Sequence, residues 1–206
     1  MTDYTYGSGL PIPASAQLQL VTNKKVFKSP LTGATQTAAR PGTHWRYVLQ
    51  WVNLSGTPRA ELFGALHRLG GVEHRLLLPI FNQTQLGTFG GTPLVDGANQ
   101  TGNSLNVRGA TASVTNWIYA GDFFKVGDQL LQCTASADSD STGDVQISFQ
   151  PEIRDSFADG DAITVAAADA VGRFMMISDP EFQEMGGLAD GTTLSTVSAE
   201  FVEDVL

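Results

Sequence analysis

The carboxylates are the residues whose spacing in this chain comes closest to chemistry. Asp138, Asp140 and Asp144 lie in the run ADSDSTGD, at spacings that suggest the oxygen ligands of a calcium loop. Counted from Asp138, Gly143 falls at the sixth position, where an EF-hand loop turns sharply. The twelfth position is Phe149, which cannot ligate, and the flanks read as strands. The run is therefore read as a solvated hairpin loop. A second group is Glu152, Asp155, Asp159 and Asp161. Two carboxylates that meet in space can run glycoside hydrolysis. Without evidence that these meet, the favoured reading is solubility around a turn.

The other reactive side chains are sparse. Cys133 is the only cysteine, so an intrachain disulfide is excluded. It sits in the strand-like run LLQCT without any nucleophile signature, and reads as a buried, inert thiol. His67 and His74 flank a glycine pair, but two histidines without an acid or cysteine ligand nearby make a poor metal site. No phosphate-cradling glycine motif and no GxSxG elbow occurs. Arg154 follows a Pro and an Ile at a strand end, where a guanidinium can bridge backbone carbonyls or a neighbour's carboxylate, and Arg108 could play a similar role. Trp117 and Tyr119 flank Ile118 and would share one strand face, either as core or as a platform for sugar. The reading assigns no catalytic, cofactor-binding or metal residue, and no enzyme activity.

Composition narrows the class further. The 206 residues are 42% hydrophobic, enough for a core, but only 16% charged. So few charges suit either a neutral polar surface or one largely covered by partner subunits. A net charge of −9 argues against nucleic-acid and anionic-membrane binding. Lys24, Lys25 and Lys28 form the only basic cluster, and read as exposed positions of a strand or as an edge guard. The first fifteen residues carry no basic region or apolar run, and no stretch reaches the length of a membrane span. The expected setting is a cytoplasm, or an assembly made there that leaves.

The elements that must position these residues are mostly strands. Short apolar runs alternate with Gly, Asp and Ser turns. Residues 1–16 look like an extended arm, or a strand that pairs only in an assembly. Gln17–Val21 and His44–Leu54 alternate, the latter with Trp45, Tyr47, Leu49 and Trp51 on one face. A turn is expected at Pro30–Gly33. One helix starts at Thr57 as N-cap, with Pro58 first inside it and Glu61 in its first turn. Leu62, Leu66, Leu69 and Phe63 form its apolar face, and Gly70-Gly71 stop it. Val72–Asn82 reads as a buried strand broken at Pro79.

A composition shift near residue 90 opens a second unit. Its expected strands are Leu105–Val107, Trp117–Ile118, Phe123–Val126, Leu130–Thr134, Val145–Phe149 and Ala162–Val165. Arg173–Ser178 and the C-terminal tail follow as strands. The expected fold is mainly β: a sandwich or barrel domain from both chain ends (1–90 with 166–206), carrying one short helix, plus an inserted small barrel-like domain (91–165).

In this order, several phrases resemble a family of bacteriophage distal tail or minor tail proteins of long-tailed phages. They are SPLTGATQT, HWRYVLQW, PRAELFGALHRLGG, GTPLVDGANQTGNSLNVRG, AGDFFKVGDQLLQCTASADSDSTGD, ISFQPEIRDSFADGDAI and GRFMMIS. They span Ser29 to about Ser178, while the N-terminal arm and EFQEMGGLADG depart from the pattern. The resemblance implies a non-enzymatic virion protein of the tail tip, assembled in the host cytoplasm. It implies a ring, typically a hexamer, that joins the tail tube protein to the hub and receptor-binding proteins. DNA passes through the lumen of such a ring, which acidic charge would suit, with no sequence-specific contact and no membrane insertion. The alternative function is a carbohydrate- or receptor-binding module of the tail tip. No cofactor is implied.

Overall fold

A computed structural model describes residues 1–7, 9–39, 42–81, 83–165, 170–185 and 194–204. In chain order come β1 (Asp3–Thr5), β2 (Ser15–Val21), β3 (Lys24–Lys28), β4 (Thr35–Ala39), β5 (His44–Leu54) and helix α1 (Gly56–Arg68). Next are β6 (Arg75–Leu78), β7 (Gly91–Val95), β8 (Ser104–Ala110), β9 (Phe123–Val126), β10 (Gln129–Ala135) and β11 (Val145–Gln150). The series ends with β12 (Ile163–Thr164), β13 (Gly172–Met176), β14 (Glu181–Met185) and β15 (Leu194–Glu203). The protein is mainly β, as its alternating patterns require.

Strands from both ends of the chain build a seven-stranded sheet in the order β1-β6-β13-β15-β5-β2, with β14 paired to the first half of β15. Alternation drives it. Trp45, Tyr47, Leu49 and Trp51 of β5 turn inward and are at most 3% exposed. Opposite them, Val197, Ala199 and Phe201 of β15 are buried as well. Leu62 and Leu66 of α1 close this core, with Leu69 just beyond the helix.

The N-terminal arm is a strap within the chain, not a strand waiting for an assembly. β1 pairs in parallel with β6, and β2 pairs antiparallel with β5, so the first 21 residues supply both edges of the sheet. Between those edges the arm is tied over Trp51. The Trp51 indole N–H donates to the Pro11 carbonyl at 2.8 Å and to the Tyr6 hydroxyl at 3.1 Å. Burial pushes the Tyr6 hydroxyl up to about 12.

The helix begins earlier than Thr57. Ser55 is the N-cap, without a side-chain cap bond, and Gly56 opens the helix. Pro58 still falls among the first residues, whose N–H groups have no helical partner. Glu61 lies beyond the first turn, so the dipole there meets no acid. The stop at Gly70 and Gly71 holds, both at positive φ (56° and 68°). The strand expected over Val72–Asn82 shrinks to Arg75–Leu78, because Pro79 has no N–H for the ladder.

Strands β7 to β12 form the second sheet, in the order β12-β9-β10-β11-β8-β7. Its ends nearly meet. Leu94 bridges Ala162, and the Val95 N–H donates to the Asp161 carbonyl at 2.9 Å. The result is a nearly closed barrel with its own core, including Val107, Trp117, Phe124, Leu131, Ile147 and Phe149. At the β7–β8 bulge, Gly91 and Gly109 sit at φ 83° and 78°. A Cβ on Gly91 would lie 2.3 Å from the Gly109 carbonyl, so only glycine lets the strands approach there. The strand expected at Trp117–Ile118 is reduced to one bridge, Ile118 to Ala137.

β3 and β4 form a separate two-stranded ribbon around the expected turn, where the Gly33 N–H donates to the Ser29 carbonyl at 3.0 Å. The 186–191 part of EFQEMGGLADG and the last two residues of the tail lie outside the described residues.

Candidate functional site

No cluster of three or more metal-ligating side chains occurs among the described residues. Asp140 Oδ1 is already used by its own loop. It accepts from the Thr142 N–H at 2.8 Å, the Thr142 hydroxyl at 2.7 Å and the Asp144 N–H at 2.9 Å. The Asp144 N–H above all, then the Thr142 hydroxyl, holds the Asp140 carboxyl below the usual range. Asp138 accepts the Asn116 N–H at 2.7 Å, and so faces a different loop. These carboxylates are turn-forming acceptors, which is the hairpin reading of the run.

The second carboxylate group is divided among structural contacts. Asp159 pairs with Arg108, which also meets Asp96 at 2.9 Å. This pairing lowers the Asp159 carboxyl, helped by the Gly97 N–H at 2.9 Å. Asp161 accepts the Ala158 N–H at 2.7 Å. Glu152 contributes its carbonyl to the Gln129 side chain at 2.7 Å, and Asp155 is exposed. The histidines join no metal-ligating cluster among the described residues either. His67 Nδ1 lies 2.9 Å from the Phe63 carbonyl, and His74 sits edge-on to Tyr4. Cys133 is buried at 2% exposure, as expected, and burial raises its thiol.

Trp117 and Tyr119 do not share a face. Trp117 is fully buried in the barrel core, and its indole N–H donates to the Gly90 carbonyl at 3.0 Å. Tyr119 alone reaches solvent, at 39% exposure. A sugar platform built on the pair is thereby removed.

Arg154 has the role its position suggested, and more. It stands in the segment after β11 and crosses to the seven-stranded sheet. One guanidinium nitrogen donates to the Thr43 carbonyl at 2.8 Å, and another lies 2.7 Å from Glu203 Oε1. Glu203 is wholly buried, and its second oxygen accepts the Trp45 N–H at 3.1 Å. The Trp45 indole N–H donates in turn to the Leu130 carbonyl of β10 at 3.0 Å.

The connector before β7 completes this junction. Gln85 acts as one residue of a strand: its amide N–H donates to the Phe123 carbonyl at 2.9 Å and its oxygen accepts the Phe123 N–H at 3.1 Å. Asp122, 1% exposed, accepts the N–H groups of Leu86, Gly87 and Tyr119, each at 2.8 Å. Sequence reasoning missed both residues. An acid beside a glycine turn and a glutamine in a loop give no pattern that marks them.

Charge separates along the chain. Residues 1–90 hold three acids and eight bases, a net of +5. Residues 91–165 hold ten acids and three bases, a net of −7. Lys24, Lys25 and Lys28 lie on the ribbon, and none has a carboxylate within 4 Å among the described residues. A groove of about 420 Å³ between the arm and α1 is lined by Tyr4, Leu10, Glu61, Gly64, Arg68 and others. No helix among the described residues is long and apolar enough to cross a membrane. Comparison with protein-family models and with curated proteins finds no match.

Proposed function

We propose that this chain is a structural, non-enzymatic component of a phage tail tip, one subunit of a ring linking the tail tube to the hub and receptor-binding proteins. The observation that carries the reading is the outer edge of β2. Seven residues, Ser15–Val21, pair with β5 on one side, and no strand lies beyond them among the described residues. An edge of that length, with neutral Ser15, Gln17 and Gln19 exposed along it, is a template for another strand. Its opposite face carries half-buried Ala16, Leu18 and Leu20 over the core.

In a ring each subunit offers one edge and receives another, a heterologous contact that closes on itself. Strand addition supplies the backbone bonds. The likeness of the phrases between Ser29 and Ser178 to tail-tip proteins supports the same reading. On it, the sheet drawn from residues 1–90 and 166–206 forms the ring, and the barrel of 91–165 stands at its periphery. The low share of charged residues fits a surface that subunits cover.

Light scattering and negative-stain imaging of the full chain test this reading. A closed ring is expected. A chain that stays monomeric at every concentration, alone and with tail-tube and hub proteins, overturns it.

A further inference from the structure

We infer that the β3–β4 ribbon is a docking arm whose lysines engage the acidic barrel of a second copy of this chain. The inference rests on the reading that the chain self-assembles, and goes beyond it by naming two surfaces that meet.

Among the described residues the ribbon has no third strand. Two strands without a third, and without a covering layer, are marginal in water. Every residue of β3 is exposed. Val26 is 57% exposed, Phe27 48%, and Leu31 in the turn 95%. Exposed apolar groups on a projecting hairpin indicate a surface that something covers. The register puts Lys24, Val26 and Lys28 on one side and Lys25 and Phe27 on the other. Both sides therefore combine cations with an apolar group, and Lys25 already lies over the Phe27 ring at 5.2 Å.

Charge identifies the occupant. Three of the chain's four lysines stand on this ribbon, and the fourth is Lys125. The barrel segment carries −7, as do residues 166–206, but Glu184, Glu200, Glu203 and Asp204 of the latter are already paired with arginines. Asp144 and Asp155 on the barrel are exposed and meet no cation within 4 Å among the described residues, and Asp128 lies 3.7 Å from Lys125 and also feels the Arg173 charge. A copy of the chain thus holds an unneutralised basic arm and an unneutralised acidic body. Complementary fields of this kind favour one copy's arm on another copy's body, and set which faces meet.

The test uses full-length protein in sedimentation velocity at low and high salt. Wild type is expected to self-associate, and to weaken as salt rises. Lys24→Glu/Lys25→Glu/Lys28→Glu is expected to weaken association about tenfold or more, the effect of three exposed ion pairs. Asp128→Lys/Asp144→Lys/Asp155→Lys is expected to do the same, and mixing the two variants to restore association. Unchanged circular dichroism and Tm show that both variants fold. Failure of the mixture to restore association overturns the inference, as does wild-type association by the lysine variant. A lysine variant that still forms rings under the microscope sinks the docking arm and leaves the ring. A restored mixture without rings supports the arm and removes the ring. Lysine-dependent binding to a DNA duplex or to phosphatidylserine vesicles, with self-association unaltered, replaces the inference with a polyanion site.

Discussion

Arg154 and Glu203 form an ion pair between the barrel and the seven-stranded sheet, guanidinium to carboxylate at 2.7 Å, with the Glu203 side chain 1% exposed. It is the one ion pair between the two sheets among the described residues. Burial raises the Glu203 carboxyl above its usual range, against the pull of Arg154 and the Trp45 N–H. The pair is expected to add little net stability, because desolvation offsets much of the attraction.

Removing the cation alone exposes that cost. Arg154→Met is expected to destabilise the protein by about 3 kcal/mol at neutral pH, since it strands a buried carboxylate. The pH dependence has a definite sign. A carboxyl with a raised folded value takes up its proton in the folded state first, so its contribution to stability is present at low pH and is lost as pH rises through the folded value. The Arg154→Met deficit is therefore expected to shrink as pH falls toward the ordinary glutamate range. Urea unfolding at several pH values checks this, and a deficit that is flat or grows on acidification contradicts it.

The connector makes a second prediction. Asp122→Ala leaves the N–H groups of Leu86, Gly87 and Tyr119 without their acceptor. A loss of about 2–3 kcal/mol is expected, with faster hydrogen exchange over residues 83–90. Gly87→Ala is expected to act on the same place, because a Cβ there would lie 2.7 Å from the Trp117 carbonyl and 2.9 Å from Asp122 Oδ2. Exchange that stays slow in both variants would show that the connector is held by something else.

Trp117→Ala separates core from platform. Trp117 is fully buried, so truncation is expected to cost about 3–5 kcal/mol through the cavity it leaves. Denaturation measures it directly. A variant as stable as wild type that has lost glycan binding would restore the platform reading.

Much of the fold was legible because burial imposes period two. His44–Leu54 and Val145–Phe149 stand where their alternation puts them. β4 (TQTAA) and β14 (EFQEM) offered too little apolar alternation, and in β7 Pro93 interrupts the strand pattern. β1 was hidden for another reason: three residues, Asp3–Thr5, become a strand only through a partner 72 positions away, as Asp3 pairs with Arg75. The site residues divide in the same way. Arg154 was legible as a bridging cation, since a strand-end guanidinium has few other uses. Its partner Glu203 was not, because the pairing crosses two sheets. The Trp117–Tyr119 face failed because the segment is a loop with one bridge, where the rule of alternate faces does not hold.

The most direct test of the account is the solution mass of the purified full-length chain, followed by negative-stain imaging. A closed ring of about six subunits, near six times the 21.9 kDa of one chain, is the predicted result. A particle of one-chain mass at every concentration, with or without tail-tube and hub proteins, would contradict it.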